Sequence, residues 1–248
     1  MDSSITQALV SYGFNDRIAV QVNVPFIHRS FQRPEGFATD KGTEAGIGDV
    51  SLLGRIQLWR KDTQDFEWNS HLFGGLKFPT GSSSRLTEEL HESEVPGAPE
   101  SGIHGHDLTL GSGSTDAVVG AEADVRYQRC FATASVQYVI RSGGDHDYSF
   151  ANDLTWEAGP GIYLFLGHAY TVSLQCLLSG EHKGTDTSQG IPAADTGLTS
   201  VYLGPRLSAT WQDRLSAEIG ADFPVSIRNT ALQAVPDYRL RAALAWHF

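Results

Sequence analysis

The chain has 248 residues, a formal net charge of −11, 26 glycines and a single methionine. The acidic balance argues against a nucleic-acid partner, and no run of about 18 apolar residues exists that would form a transmembrane helix. The first residues, "MDSSITQALV", have neither the basic nor the long apolar region of a secretory signal.

Taken in chain order, the sequence is a succession of stretches that alternate apolar and polar residues. That period of two marks strands with one apolar and one polar face. The first stretch, "SSITQALVSYGF", alternates weakly, with Ala8, Val10 and Tyr12 as its apolar set. "IAVQVNVPF" sets Val20, Val22, Val24 and Phe26 against Gln21 and Asn23, and "DVSLLGRIQLW" sets Leu52, Ile56 and Leu58 against Asp49, Arg55 and Gln57. "FEWNSHLFGGLKF" sets Trp68, Leu72 and Leu76 against Glu67, His71 and Lys77. "DAVVGAEADVRY" opposes Val119, Ala121, Val125 and Tyr127 to Asp116, Glu122, Asp124 and Arg126, and "FATASVQYVIR" opposes Val136, Tyr138 and Ile140 to Thr133, Gln137 and Arg141.

The second half repeats the pattern. "NDLTWEAGPGIYLFL" places Leu154 and Trp156 opposite Asp153 and Glu157, and "YTVSLQCLLSGE" places Val172, Leu174 and Cys176 opposite Ser173, Gln175 and Glu181. "SVYLGPRLSATW" places Leu203, Leu207 and Trp211 opposite Arg206 and Ser208. "LSAEIGADFPVSIR" places Ile219, Phe223 and Val225 opposite Glu218 and Asp222. The last stretch, "YRLRAALAWHF", carries Tyr238, Leu240, Leu244, Trp246 and Phe248 on one face and Arg239 and Arg241 on the other. Aromatic residues at the ends of apolar faces suit the two interfaces of a membrane.

The connectors between stretches alternate short and long. Short ones follow Tyr12, Arg60, Tyr127, Leu166 and Trp211; long ones fall near residues 29–46, 80–114, 142–152, 182–197 and 229–236. This asymmetry is that of periplasmic turns and extracellular loops. The expected fold is therefore all-β: one antiparallel, up-and-down transmembrane β-barrel over residues 1–248, in the outer membrane of a Gram-negative bacterium. Eleven strands are visible. Because single-chain bacterial barrels favour even numbers, a barrel of about twelve strands is expected, its first strand and a signal lying upstream or supplied otherwise. Cys130 and Cys176 fall on non-neighbouring strands, so no disulfide is expected.

The polar face supplies the candidate site. Lumen-lining residues are Arg55, His71, Lys77, Glu122, Asp124, Arg126, Glu157, Arg206, Glu218, Asp222, Arg239 and Arg241, with Arg206, Arg239 and Arg241 facing Glu218 and Asp222 as the sharpest cluster. Two readings stay open. The charges line a water-filled lumen that orients a solute, or they pair into a structural network that fills it. His104 and His106, with His91, Glu88, Glu89, Glu92, Glu94 and Asp107 nearby, form the candidate metal set, although their spacing matches no closed site. No Gly-x-Ser-x-Gly element is present. The compact trio Asp145, His146 and Ser149 lies in a polar loop, so no enzyme is expected and no cofactor is required.

Three segments, "GIGDVSLLGRIQL", "GGLKFPTGSSS" and "LGSGSTDAVVGAEADVRY", stand in the order found in the MetA-pathway of phenol degradation outer-membrane barrels. From about Gly46 to the C-terminus the chain resembles that family. The terminal Phe248 resembles the signal such barrels present to their insertion machinery. The resemblance implies a channel that passively admits small aromatic or hydrophobic molecules, with the lipid bilayer, the insertion machinery and a small-molecule solute as partners. The alternative is a structural scaffold barrel that holds a partner protein, which would also cover an incomplete barrel edge.

Overall fold

The computed structural model describes residues 1–90, 96–99, 101–194, 196–229 and 235–248. In chain order its strands are β1 (Asp2–Gly13), β2 (Ile18–Glu35), β3 (Ala38–Ile47), β4 (Ser51–Asp62), β5 (Phe66–Lys77), β6 (Asp116–Tyr127), β7 (Cys130–Ile140), β8 (Tyr148–Ser149), β9 (Asp153–Leu166), β10 (Tyr170–Lys183), β11 (Thr187–Ser188), β12 (Ile191–Pro192), β13 (Leu198–Trp211), β14 (Leu215–Asn229) and β15 (Arg239–Trp246). One antiparallel sheet runs β1-β2-β4-β5-β6-β7-β9-β10-β13-β14-β15, with β3 on β2. The short pieces β8, β11 and β12 form a separate small sheet in the loops.

β2 pairs with β3 through Phe26–Glu35 and with β4 through Ile18–Asn23. β3 and β4 are thus one wall strand interrupted at residues 48–50, and the wall has eleven strands. Residues 29–46, expected as a loop, are instead the continuation of this hairpin. Their alternation (Phe31, Arg33 and Glu35 on one parity) is obscured in the sequence by Gly42 and Gly46, which leave gaps in it. The expected loop near 229–236 lies largely outside the described residues.

The faces sort as the alternation requires. Val118 and Val139 are buried while their neighbours Val119 and Ile140 are exposed. Leu53, Val118 and Val139 pack together inside the wall with Phe73 against them. Outside, large apolar side chains stay uncovered on every wall strand, the surface a bilayer would contact. Tyr12, Trp59, Tyr127, Tyr170, Trp211 and Trp246 ring the short-turn end. Phe78 lies ten positions beyond Trp68. At roughly 3.3 Å per residue and a tilt of about 40°, this separation spans about 25 Å, the height of an apolar barrel band. Cys130 and Cys176 are free and exposed on this outer face.

β1 and β15 end the sheet, and among the described residues no ladder joins them. Each is the odd-numbered end of an alternating series, so both run in the same direction, and direct closure would need a parallel pair. Every residue of β1 is exposed, because β2 is its only neighbour. That also accounts for its weak alternation: a strand at an open seam is not held to one buried face.

Leu207 sits on the outer face of β13, four positions from Trp211 and so near the middle of the apolar band. Leu207→Arg is expected to destabilise the barrel by about 2–4 kcal/mol in phospholipid. Ser208→Arg, one residue on and facing the lumen beside Glu218, is expected to cost far less. Urea unfolding in vesicles compares the two; equal costs would reverse the assignment of faces.

Candidate functional site: the charged lumen and its cap

The inward residues form two charge networks of different character. At the loop end, Asp116 is fully buried. It faces Lys77 Nζ at 2.7 Å and Arg141 Nη1 at 2.9 Å, and it accepts bonds from the Ser114 hydroxyl and the Ser142 amide. Asp49 accepts from Lys77 at 3.1 Å and from the Ser112 amide, the Ser112 hydroxyl and the Gly81 amide. These two carboxylates therefore pin both ends of the segment between β5 and β6 to the wall. Gly81 and Gly111 make this closure feasible: a Cβ on Gly111 would lie 2.5 Å from the Gly81 carbonyl oxygen. Removing one member of such a buried set strands the others, at about 3–5 kcal/mol.

The second network lies deeper and is mixed in exposure: the Arg55 and Glu122 side chains are each 40% exposed, whereas Arg206 is mostly buried and Asp222 is buried. Arg55 meets Glu122 at 2.7 Å, its side chain also 3.2 Å from His71 Nδ1. Arg126 meets Glu67 at 3.3 Å. Arg206 lies between Glu218 at 3.0 Å and Glu157 at 3.5 Å. Arg241 lies between Asp222 at 2.6 Å and the same Glu157 at 3.5 Å. Arg241 is on β15 and Glu157 on β9, with β10, β13 and β14 between them in the sheet, so this contact crosses the interior rather than following the wall. Asp124 accepts a bond from Asn69 at 3.0 Å and has no cation beside it among the described residues. The exposed Arg55–Glu122 pair contributes about 0–1 kcal/mol, while the pairs that include Arg206 and Asp222 are more firmly enclosed.

The expected cluster is therefore largely assembled, with two changes. Glu157 is its hub, reached from both Arg206 and Arg241. Arg239 leaves it: the guanidinium stacks 3.9 Å from the Tyr202 ring centroid and faces Glu181 at 3.6 Å. Parity alone put Glu157 inside; only curvature brings it to β15. The inner apolar residues Leu53, Phe73, Val118, Val139, Leu177 and Tyr202 are missing from the charged list, though the same parity would have found them. Phe248 is fully exposed at the end of the chain.

At the loop end, the described residues between β5 and β6 form a cap. Ser84–Leu90 is a 3-10 turn and Gly105–Leu108 a single helical turn, α1. On one side the cap grips the β2–β3 hairpin. Ile103 and Leu108 bury Phe31, whose ring also has the Arg33 and Arg85 guanidinium groups 5.5 Å from its centroid. Arg33 bonds Glu88 and Asp40, and Arg85 bonds Glu44 and Glu88. On the other side the His106 ring stacks on Tyr148 at 5.9 Å. The Tyr148 hydroxyl donates to Asp186 at 2.7 Å, and Lys183 faces the same carboxylate at 2.7 Å.

His106 is buried, its Nδ1 3.0 Å from Glu89 Oε1 and its Nε2 3.6 Å from Asp107. Its ring stacks on His104 with centroids 5.6 Å apart. The two histidines stand side by side, and among the described residues no group of three or more His, Cys, Asp or Glu is arranged to hold a metal ion; His91, Glu92 and Glu94 lie outside those residues. In the neighbouring loop, Asp145 accepts a hydrogen bond from the Ser83 hydroxyl at 2.6 Å, which ties that loop to the cap.

No protein-family model and no curated protein sequence matches the chain. Among solved structures, the chain is similar to the crystal structure of the COG4313 outer membrane channel from Pseudomonas putida F1. The TM-score is 0.62 at 13% identity, over 98% of this chain and 81% of that one. The likeness establishes the fold, an antiparallel up-and-down β-barrel.

Burial and Lys183 work to lower the His106 pKa, but the Glu89 hydrogen bond and the Asp107 and Glu89 charges outweigh them and raise it above 6.5. Burial works to raise Glu89, and its bond and attraction to His106 and the nearby His104 charge bring it below 4.5. A raised histidine stabilises the cap fully below 6.5 and loses that contribution as pH rises through its folded value. A depressed carboxylate contributes above 4.5 and loses that contribution as pH falls through its own folded value. The pair therefore holds the cap best between those limits and weakens on the alkaline side. NMR titration of the histidine-labelled protein in micelles is expected to place His106 above 6.5 and to move it downward in Glu89→Gln.

Proposed function

We propose that the protein is a passive channel of the Gram-negative outer membrane that admits small aromatic or hydrophobic molecules. One observation carries this reading. The deep lumen contains a cavity of about 500 Å³, lined by the carboxylates of Glu67, Glu122, Glu157 and Glu218, each of which keeps about a third or more of its side chain exposed. A filled, structural interior would have enclosed them as the loop-end network encloses Asp116. The fold likeness to an outer membrane channel supports the reading. The resemblance of "FPTGSSS" and "LGSGSTD" to the phenol-degradation barrels points to aromatic solutes.

The geometry suggests how passage works. Glu157 is held by two contacts of 3.5 Å, while Arg206 and Arg241 each keep a closer carboxylate, Glu218 at 3.0 Å and Asp222 at 2.6 Å. When the two arginines release Glu157, neither is left unpaired and Glu157 turns to water. The crossing of the lumen therefore opens at small cost. The charged walls orient a solute by its dipole, and the outer apolar band sits in lipid.

A second reading, a scaffold barrel that holds a partner, is favoured by one observation: the open seam between β1 and β15 leaves strand edges that an added strand would satisfy.

Single-channel recording in planar bilayers tests the first reading. The barrel is expected to conduct, and phenol is expected to alter the current. Glu157→Gln, which weakens the transluminal contact, is expected to raise the conductance and lengthen open times. A folded barrel that never conducts would transfer the assignment to the scaffold.

A further inference from the structure

We propose that the lumen holds a binding site for a small aromatic cation, formed by Asp124 and the paired rings of Phe131 and Tyr163. The inference rests on the channel reading and names the solute that such a lumen would take.

The charge count around the cavity carries the first half of the argument. Four of its carboxylates each face a guanidinium: Glu67 faces Arg126, Glu122 faces Arg55, and Glu157 and Glu218 share Arg206. Asp124 lines the same cavity and has only the neutral amide of Asn69, at 3.0 Å. The nearest candidate to neutralise it by sequence, Arg126, is turned toward Glu67 and the Gln128 carbonyl at 3.3 Å each. One negative charge of the cavity thus stands without a counter-ion among the described residues. With no ionic partner beside it, such a charge is left to attract a cation from solution.

The aromatic shelf carries the second half. Phe131 and Tyr163 also line the cavity, with ring centroids 5.0 Å apart. Phe131 lies against Gly161, where a Cβ would come within 2.2 Å of the ring, so the backbone itself fixes the ring's position. In the β6–β7 register Arg126 is opposite Phe131 and Asp124 is opposite Thr133. Asp124 and Phe131 are therefore diagonal neighbours, about 7–8 Å apart along the backbone. An ammonium bonded to Asp124 shares the cavity with both rings, and cation–π attraction acts over about 6 Å. A flat ring attached to that ammonium then has Phe131 and Tyr163 to stack on. Neither feature selects a ligand alone; a single charge beside a fixed aromatic shelf selects a compact monocation with an aromatic body.

Isothermal titration of the full chain in detergent at low salt tests this, with benzylammonium as probe and benzyl alcohol and benzoate as its neutral and anionic counterparts. Benzylammonium is expected to bind at least about tenfold more tightly than benzyl alcohol, and benzoate not to bind. Asp124→Asn is expected to bring benzylammonium down to the affinity of the alcohol, whereas Asp124→Glu retains the preference. Circular dichroism of each variant verifies the sheet. Equal affinities for the cation and the alcohol, or an unchanged preference in Asp124→Asn, would overturn the proposal. Conductance, recorded separately, keeps the two readings distinct. A barrel that conducts without preferring the cation retains the channel and loses the site. One that prefers the cation through Asp124 yet never conducts retains the site and loses the channel.

Discussion

A backbone amide in hydrocarbon has no water to bond, so a chain that crosses a membrane by strands must pair every one of them with another strand. The rest of this structure depends on that constraint. It forces eleven wall strands into a single antiparallel sheet, and the sheet's period of two then divides each strand into an outer apolar row and an inner polar row. It makes the seam between β1 and β15 the one stretch of wall where the requirement is not met by the described residues. β1, with all of its residues exposed, shows what a strand looks like when only one edge is satisfied.

Placing charges inside follows from placing apolar groups outside, but the inner charges do two different jobs. Around Lys77 and Asp116 they are buried, saturated with hydrogen bonds and tied to loop backbone. Such a set holds because any single loss leaves a buried charge uncompensated. Deeper in the lumen Glu157 and Glu218 are each 33% exposed, and Glu157 is reached by contacts of 3.5 Å. Exposed pairs contribute little to stability. A lumen with solvent-facing carboxylates and a lumen filled by structural pairs are thus not exclusive: the same barrel has one of each, at different depths.

The cap is the mechanical complement of this division. It is attached at both ends by Asp49 and Asp116, clasped to the β2–β3 hairpin through Phe31, and stacked on Tyr148 through His106. The first two attachments are packing and saturated ion pairs, whereas the third contains a titrating group. Stability is therefore uneven across the cap, and the edge at His106 is the one that responds to solution conditions. Beneath it, the two charge networks differ in the same sense, rigid near the loops and adjustable in the deep lumen.

Much of this was legible in the residues. The alternation located all eleven wall strands and put Glu122, Glu157, Arg206 and Arg241 on one parity with the polar row of their strands, because side-chain direction in a strand is set by parity alone. The alternation of short and long connectors set the up-and-down order. The "PTG" and "LGSGSTD" segments could be quoted as a resemblance, but not as two ends of one cap that are both fastened to Asp49. The hairpin over residues 29–46 was missed, since glycines at 42 and 46 interrupt its pattern. What the sequence could not state is which inner residues meet. Arg239 and Arg241 share a face and a strand, yet one reaches Glu181 and the other Glu157. Asp124 is left with an amide while its neighbour Glu122 has Arg55. Parity is a local property, so the sequence by itself determined fold class and facing. Contacts across a lumen depend on the curl and stagger of the whole sheet, so the pairing of charges, and with it the candidate site, was decided only by the tertiary structure.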